Sequence, residues 1–368
     1  KVDELMRSGR EPQVFLKDLS SHCRMLMTVQ AVKENAAALL DIDIQWCYPE
    51  TDTSYVSCHL SPEGIRQALH SCPQRVTAVY VTSPDYLGHM LDIRGIAEIC
   101  HQAGALLMVD NAHGAYLRFL PQSCHPMELG ADICCDSAHK TLGVLTGGAY
   151  LHISHAAPEW LAQQAKASMS LFGSSSPSYL ILQSLDAAND RMARFRDDLA
   201  DLLPKAAALK RRLSDRGYML TGEEPLKVTV CPKSFGYTGT EIAATLEENG
   251  AFPEFYDPDH VVLMLSPWNS DDDLVRLERT LCSIPQRTPI ILTPPPVPHP
   301  VRVMTPRQAL FAVSERLPLE DCCGRISAAA AISCPPAIPL VVCGERIDQQ
   351  VIACLRYYGV SACMVIQE

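Results

Sequence analysis

Apolar and β-branched residues occur in short runs that alternate with amphipathic stretches through the first half of the chain. Strands that are apolar along their whole length are typical of a parallel sheet covered by helices on both faces. The stretches between the runs have helical periodicity. We therefore predict an α/β fold with a mostly parallel sheet. The three clearest apolar runs are VTAVYVTSP (76–84), ALLMVDNAHG (105–114) and ADICCDSAHK (131–140).

Capping residues predict where the helices between these runs begin and end. In SPEGIRQALHSC, Ser61 is placed to cap a helix whose first residue is Pro62. In DIRGIAEICHQAG, Asp92 is the predicted N-cap and Gly104 the C-terminal stop. Ligands of such sheets bind outside the carboxyl ends of the strands, so residues at those ends are the candidates for chemistry.

The second half has a different organisation. Residues 175–216 predict one long helix or two stacked helices, and the strands and helices that follow predict a smaller α/β domain. The stretch RTPIILTPPPVPHPVR is rich in proline and predicts an extended linker. The predicted units are a large domain (1–190) whose start we expect upstream of Lys1, a small α/β domain (191–290), a linker (291–300) and a C-terminal domain (301–368).

Composition excludes several classes of protein. A chain of 368 residues with no run of eighteen apolar residues predicts two or three domains and no membrane span. A net charge of −11 argues against nucleic-acid binding, because a protein that binds nucleic acid needs a basic face. The sixteen cysteines contain no C-x-x-C pair, so we predict no metal site, reduced thiols and a cytoplasmic location.

The strand ends carry a set of side chains that suits pyridoxal phosphate. This cofactor needs a lysine for its aldehyde, an acid for its ring nitrogen, a donor near its ring hydroxyl and donors for its phosphate. Lys140, Asp110 and His113 match the first three, and Ser137 and His139 flank the lysine, where they can reach a phosphate. Taken singly, Asp110 is as well explained by a turn cap, and His113 by an ordinary loop histidine.

The chain resembles the Orn/Lys/Arg decarboxylase family of fold-type-I (aspartate-aminotransferase-like) pyridoxal-phosphate enzymes, most closely its short bacterial arginine/lysine branch. Five stretches carry the resemblance at family-like spacing. They are VTSPDYLGHMLDI, LLMVDNAHGAY, GADICCDSAHKTLGVLTGGAYLH, SSSPSYLILQSLDAA and GRISAAAAISCPPAIPLVVCGERI. The departures from the family motifs include Asn111 in place of glutamate, and Ala337 and Cys343 in place of glycine and proline.

The resemblance implies a role for each matching residue. Lys140 would form the Schiff base, Asp110 would pair with the pyridine nitrogen, and His113 would lie near the ring hydroxyl. Ser137 and His139 would bind the phosphate of the same subunit, and Ser174 that of the neighbouring subunit in a homodimer or larger homo-oligomer. His22 would stack on the ring.

The implied activity is the decarboxylation of a basic amino acid (arginine, lysine or ornithine) to a polyamine precursor. Two alternatives remain open on the sequence: an aminotransferase or carbon–carbon lyase with the same cofactor, and a scaffold or regulatory homologue without catalysis. Glu345 and Asp321 are candidate contacts for the distal cation of the substrate, although either is also explained as an ordinary surface charge.

Overall fold

A four-stranded sheet forms the centre of the first half of the chain. The computed structural model describes residues 44–47, 55–57, 59–172, 178–329 and 338–367. The three apolar runs form parallel strands, and the fourth strand pairs antiparallel with the third, so the sheet is mostly parallel, as predicted. The strands lie in the order β1 (Ala78–Thr82), β2 (Leu106–Asp110), β3 (Ile133–Asp136) and β4 (Tyr150–Ile153).

Two helices with the predicted caps pack near β1 and β2. In α1 (Pro62–Ser71), the Ser61 hydroxyl accepts a hydrogen bond from the Gly64 N–H at 3.0 Å. In α2 (Ile93–Gln102), the Asp92 carboxylate accepts one from the Gly95 N–H at 3.0 Å. Each bond satisfies an N–H that the first helical turn leaves without a partner. The apolar faces of these helices and strands form one core, which includes Ile65, Ile96, Leu107 and Val109.

Four helices follow the third strand. The described part of the region 175–216, residues 178–216, forms two helices, so the second of the two predicted alternatives is correct. The helices are α3 (Ala138–Thr141), α4 (Glu159–Phe172), α5 (Tyr179–Met192) and α6 (Phe195–Arg216). The last of them ends at Gly217, whose φ of +107° is a left-handed conformation that glycine adopts without steric cost.

A second sheet, entirely antiparallel, forms the smaller α/β unit. Its order is β5 (Met219–Thr221), β6 (Lys227–Cys231), β8 (Val261–Met264) and β7 (Phe255–Tyr256), and it is accompanied by α7 (Gly239–Glu248) and α8 (Asp271–Ser283). Tyr116 of the first half and Val228 of β6 belong to one continuous buried core. This shared core holds the second sheet close to the carboxyl edge of the first.

The C-terminal unit has its own small core. It contains α9 (Pro306–Leu310), β9 (Ser314–Pro318), α10 (Gln349–Tyr357) and β10 (Ala362–Ile366), and β9 pairs antiparallel with β10. Leu319, Ile347 and Val351 are buried together there. The exact domain boundaries stay a prediction.

Within the described ranges, no helix is both long enough and apolar enough to cross a lipid bilayer.

Candidate active site

Lys140 and His113 meet at the carboxyl edge of the first sheet. Lys140 lies in α3, directly after β3, and His113 lies in the turn after β2. Adjacent parallel strands end at the same edge, and here Asp110 of β2 is in register with Cys135 of β3. The Lys140 Nζ lies 2.8 Å from the His113 Nε2. The lysine side chain is 11% exposed, so its amine points into the protein rather than into solvent.

The His113 ring is neutral and has one polar atom without a partner. Burial, followed by the nearby cations Lys227, Lys140 and His139, lowers the pKa of His113 well below its usual value. Because Nε2 then accepts a hydrogen bond from the Lys140 ammonium, the ring proton lies on Nδ1. Nδ1 is buried and has no partner among the described residues. A buried N–H without an acceptor is costly, and an oxygen on a bound ring would satisfy it.

Asp110 is a buried carboxylate that does more than cap a turn. One oxygen, Oδ1, accepts the Ala112 N–H at 3.1 Å, which is the turn-capping role that the sequence left open. The other oxygen, Oδ2, accepts the Tyr80 hydroxyl at 3.0 Å. A carboxylate offers about four lone-pair positions, so these two hydrogen bonds are compatible with a further one from a protonated ring nitrogen. The environment of Asp110 is therefore compatible with the role that the resemblance implies.

The predicted phosphate ligands stand on the same short helix as Lys140. Ser137 is the N-cap residue of α3, but its hydroxyl makes no capping hydrogen bond. The His139 Nδ1 lies 3.0 Å from the Gly148 carbonyl oxygen and donates to it, which fixes the orientation of the ring. Their role as phosphate ligands stays a prediction. His22 and Ser174 lie outside the described residues.

Two residues that sequence reasoning missed complete the surroundings of Lys140. The Tyr86 hydroxyl donates to the Glu254 Oε1 at 3.2 Å, and that same oxygen lies 3.9 Å from the Lys140 Nζ. The Tyr86 ring also packs edge-on against His113, with 4.8 Å between the ring centroids. Tyr86 lies in the stretch VTSPDYLGHMLDI, whose resemblance to the family motif could have identified it as a site residue. Glu254 lies 168 residues from Tyr86 in the sequence, and no local sequence pattern indicated that it would reach this site.

A second buried lysine lies near the same tyrosine ring. The Lys227 Nζ lies 5.7 Å from the centroid of the Tyr86 ring, and the Lys140 Nζ lies 5.5 Å from it. Burial lowers the pKa of Lys227. Its amine donates to the Asp85 carbonyl at 3.0 Å and lies 3.7 Å from the Glu224 carboxylate. These contacts hold Lys227 in place as a structural cation.

The two acids suggested for the distal substrate cation occupy different positions in the C-terminal unit. Glu345 is buried, and its carboxylate accepts the Val342 N–H at 2.9 Å. That bond is typical of a residue that stabilises a turn. Asp321 is exposed at the end of a short 3-10 turn, Leu319–Asp321. A role for either in substrate binding has no support in their contacts.

Comparison with protein families and known proteins gives a consistent result. The Orn/Lys/Arg decarboxylase major domain matches residues 53–231, and the C-terminal domain of the same family matches residues 295–364. An arginine decarboxylase from Bacillus subtilis (strain 168) is 31% identical over 331 residues. The aligned residues cover 82% of this chain and 66% of the length of that relative. An arginine decarboxylase from Halalkalibacterium halodurans is 28% identical and covers 84% of this chain and 67% of its own length.

Solved structures agree on the fold. Lysine decarboxylase A from Pseudomonas aeruginosa has a TM-score of 0.74 and a sequence identity of 14%, and covers 95% of this chain and 68% of its own. The predicted fold class, an aspartate-aminotransferase-like α/β fold, is confirmed. The chain spans just under two thirds of the length of its Bacillus subtilis relative.

Proposed function

Because this chain belongs to the Orn/Lys/Arg decarboxylase family, we propose that it binds pyridoxal phosphate at Lys140 and decarboxylates a basic amino acid. The observation that carries the proposal is the pairing of a nearly buried lysine amine with the neutral His113 at 2.8 Å, in the turn that directly follows the buried carboxylate of Asp110. Each of these groups is expensive to bury without a partner. Together they provide the three contacts that the ring of the cofactor needs.

Each residue at the carboxyl edge of the first sheet has a separate role in the proposed reaction. Asp110 would hold a proton on the ring nitrogen of the cofactor, because a buried carboxylate stabilises a cationic N–H in a charge-assisted hydrogen bond. The His113 Nδ1–H would donate to the ring oxygen of the cofactor. When bound, pyridoxal phosphate supplies an electron sink for the electron pair that is released as carbon dioxide leaves. Lys140, between His113 Nε2 and Glu254 Oε1, is placed to give up and take back protons.

Arginine is the first substrate to test, since the matched Bacillus relative carries the name arginine decarboxylase. Carbon dioxide release should be measured with arginine, lysine and ornithine, with cofactor added. We expect release from one of the three that is at least about 100-fold faster than from the others, because a site built for a particular charged group rejects analogues whose hydrogen bonds do not match. Production of a keto acid without carbon dioxide would favour the aminotransferase instead.

The absorbance spectrum separates an enzyme from a scaffold before any substrate is added. A lysine joined to pyridoxal phosphate absorbs visible light, so the loaded protein should show such a band. Absence of the band at saturating cofactor would contradict the proposed function. A band without turnover of any of the three amino acids would favour the scaffold.

We also propose that the protein is a homodimer whose subunits share their active sites. Large apolar side chains at the start of α5 are strongly exposed, among them Tyr179 at 84% and Leu180 at 68%. Leu145, on the loop that follows α3, is also exposed, and its N–H donates to Ser184 of α5 at 3.1 Å. An exposed apolar surface of this kind fits a subunit interface, and α5 begins five residues after Ser174 in the sequence.

Subunit mixing tests the shared site. Inactive Lys140→Ala chains should be combined with inactive chains that carry a disruptive Ser174 substitution, under conditions that allow exchange. Each mixed dimer then holds one site with an intact Lys140 and an intact Ser174, so activity should return to about a quarter of the wild-type level per chain, if exchange is random. A fully active monomer, or no recovery after confirmed exchange, would contradict the model.

A further inference from the structure

A buried carboxylate next to the proposed site accepts hydrogen bonds from side chains of three other segments. Asp136 is the last residue of β3, is 3% exposed and directly precedes Ser137. Its Oδ2 accepts hydrogen bonds from the Nε2 atoms of His125 and His152, each at 2.9 Å. Its Oδ1 accepts the Asn111 Nδ2–H at 2.7 Å. Asn111, His125, Asp136 and His152 are called the Asp136 cluster below.

The Asp136 cluster ties together the two segments that carry the proposed active-site residues. Asn111 follows Asp110 directly, and its backbone N–H donates to the Cys135 carbonyl at 3.0 Å. Asp136 is joined through one peptide bond to Ser137, which starts the helix of Lys140. The hydrogen bond between the two side chains therefore sets the distance between the Asp110 turn and α3.

The carboxylate of Asp136 stays charged although it is buried. Burial by itself would raise its pKa, but the hydrogen bonds from His125 and His152 outweigh burial and lower the pKa below its usual range. A buried carboxylate with donors on both oxygens is stiff, because any movement breaks a charge-assisted bond. The cluster is therefore suited to holding backbone segments in fixed positions.

Two histidines and an aspartate are also a donor set that metal ions accept, and their ligand atoms lie within 4.8 Å of one another. The tautomer of His125 argues against this use. Its Nδ1 accepts the Met127 N–H at 3.3 Å, so the ring proton lies on Nε2 and points at Asp136. A metal ligand at Nε2 would need that proton on Nδ1, where the Met127 N–H already points.

We propose that Asp136 is a positioning residue for the cofactor site: through Asn111 it fixes the turn of Asp110 and His113 relative to the helix of Lys140. This proposal rests on the proposed function for the identity of the cofactor. It does not place Asp136 in contact with cofactor or substrate. The two histidines hold the carboxylate in its orientation, and His152 of β4 extends the support to the fourth strand.

The same strand offers a matched control at its other end. Asp132, just before β3, is also buried, and its Oδ2 accepts hydrogen bonds from the His101 Nε2 at 2.9 Å and the Leu107 N–H at 2.8 Å. Asp132→Asn and Asp136→Asn therefore each weaken a histidine–aspartate pair with a buried carboxylate at one end of β3; the histidine of the first pair, His101, is half-exposed. Only the second pair lies at the edge that carries Lys140. A general loss of stability should appear in both variants.

Hydrogen exchange of the full chain without added cofactor gives the first measurement. We expect amides in residues 137–143 to exchange at least about tenfold faster in Asp136→Asn than in wild type, because an amide has one oxygen and cannot accept both the Asn111 N–H and the two histidine N–H groups. They should exchange at the wild-type rate in Asp132→Asn. Equal effects of the two variants would overturn the proposal, and this measurement does not depend on the proposed function.

Titration with pyridoxal phosphate gives the second measurement, read from the visible absorbance of the bound cofactor. We expect the dissociation constant to rise at least about tenfold in Asp136→Asn and to stay within about twofold of wild type in Asp132→Asn, the scale on which outer-shell partners act. If wild type fails to bind the cofactor, the proposed function is wrong. If wild type and Asp136→Asn bind it equally well, the positioning role is wrong.

Milder variants keep the test informative if Asp136→Asn does not fold. Asn111→Ala removes the tie and leaves the histidine pairs, and His152→Gln retains a donor at a half-exposed position. Asn111→Ala should reproduce the effects on exchange and on the dissociation constant, whereas His152→Gln should have less than half the effect on either. Zinc binding at one ion per chain, with chelation reproducing the exchange rate of Asp136→Asn, would instead identify the cluster as a metal site.

Discussion

Replacing Lys140 with alanine should abolish the visible absorbance of the bound cofactor and reduce carbon dioxide release by more than about 1,000-fold, the scale on which loss of a covalent catalytic group acts. The reason is geometric as well as chemical. Lys140 Nζ is the amine that lies beside both His113 and Glu254 at the carboxyl edge of the sheet. Circular dichroism should confirm that the variant is folded.

The neighbouring Lys227 provides the competing explanation that this experiment must exclude. Its amine is also buried near Tyr86, and burial lowers the pKa of Lys227, which makes this amine a candidate nucleophile as well. Borohydride reduction of the loaded wild-type protein, followed by peptide mapping, should attach the cofactor to the peptide of Lys140. Attachment at Lys227, or a reducible visible band that persists in Lys140→Ala, would contradict the assignment.

Replacing Asp110 with asparagine should leave cofactor bound but lower kcat by about 100- to 1,000-fold, the scale of removing one group that stabilises charge. Asparagine keeps a side-chain oxygen that can accept the Ala112 N–H, so the turn survives and the charge is what changes. An amide cannot hold a proton on a ring nitrogen as a carboxylate does. Steady-state rates and the absorbance of the cofactor-loaded variant are the measurements.

A matched variant distinguishes charge from local geometry. Tyr80→Phe removes the hydroxyl that donates to the Asp110 Oδ2 and leaves the carboxylate in place. We expect an effect of less than about tenfold on kcat, the size of one ordinary hydrogen bond. Near-normal turnover by Asp110→Asn with the cofactor bound would mean that Asp110 is only a turn cap. An equal loss in both variants would assign the effect to geometry.

Local sequence signals were sufficient for the first sheet and its helices. Ser61 and Asp92 cap the helices that they were predicted to cap, because a hydroxyl or carboxylate at that position satisfies N–H groups only a few residues away. The continuous apolar runs predicted parallel strands, because both faces of such strands are buried. Both features depend on neighbours in the chain or on burial in general.

The proximity of Asp110, His113 and Lys140 was also predictable, for a topological reason. The carboxyl ends of adjacent parallel strands meet at one edge, so His113 and Lys140, 27 positions apart, approach each other there. The sequence did not determine how they pair. The sequence left open whether Asp110 caps a turn or binds a cation. In the structure, Oδ1 accepts the Ala112 N–H of the turn, and Oδ2 accepts the hydroxyl of Tyr80.

By itself, the sequence determined the fold class and the composition of the candidate site, because capping, burial and strand order follow from local pattern. Only the tertiary structure decided which distant side chains complete that site. Glu254 reaches Lys140, and Asn111 reaches Asp136, through the packing of segments that are far apart in sequence. The antiparallel direction of β4, which brings His152 to Asp136, has the same origin. Such contacts have no local signature, because their partners are chosen by the packing of the whole chain.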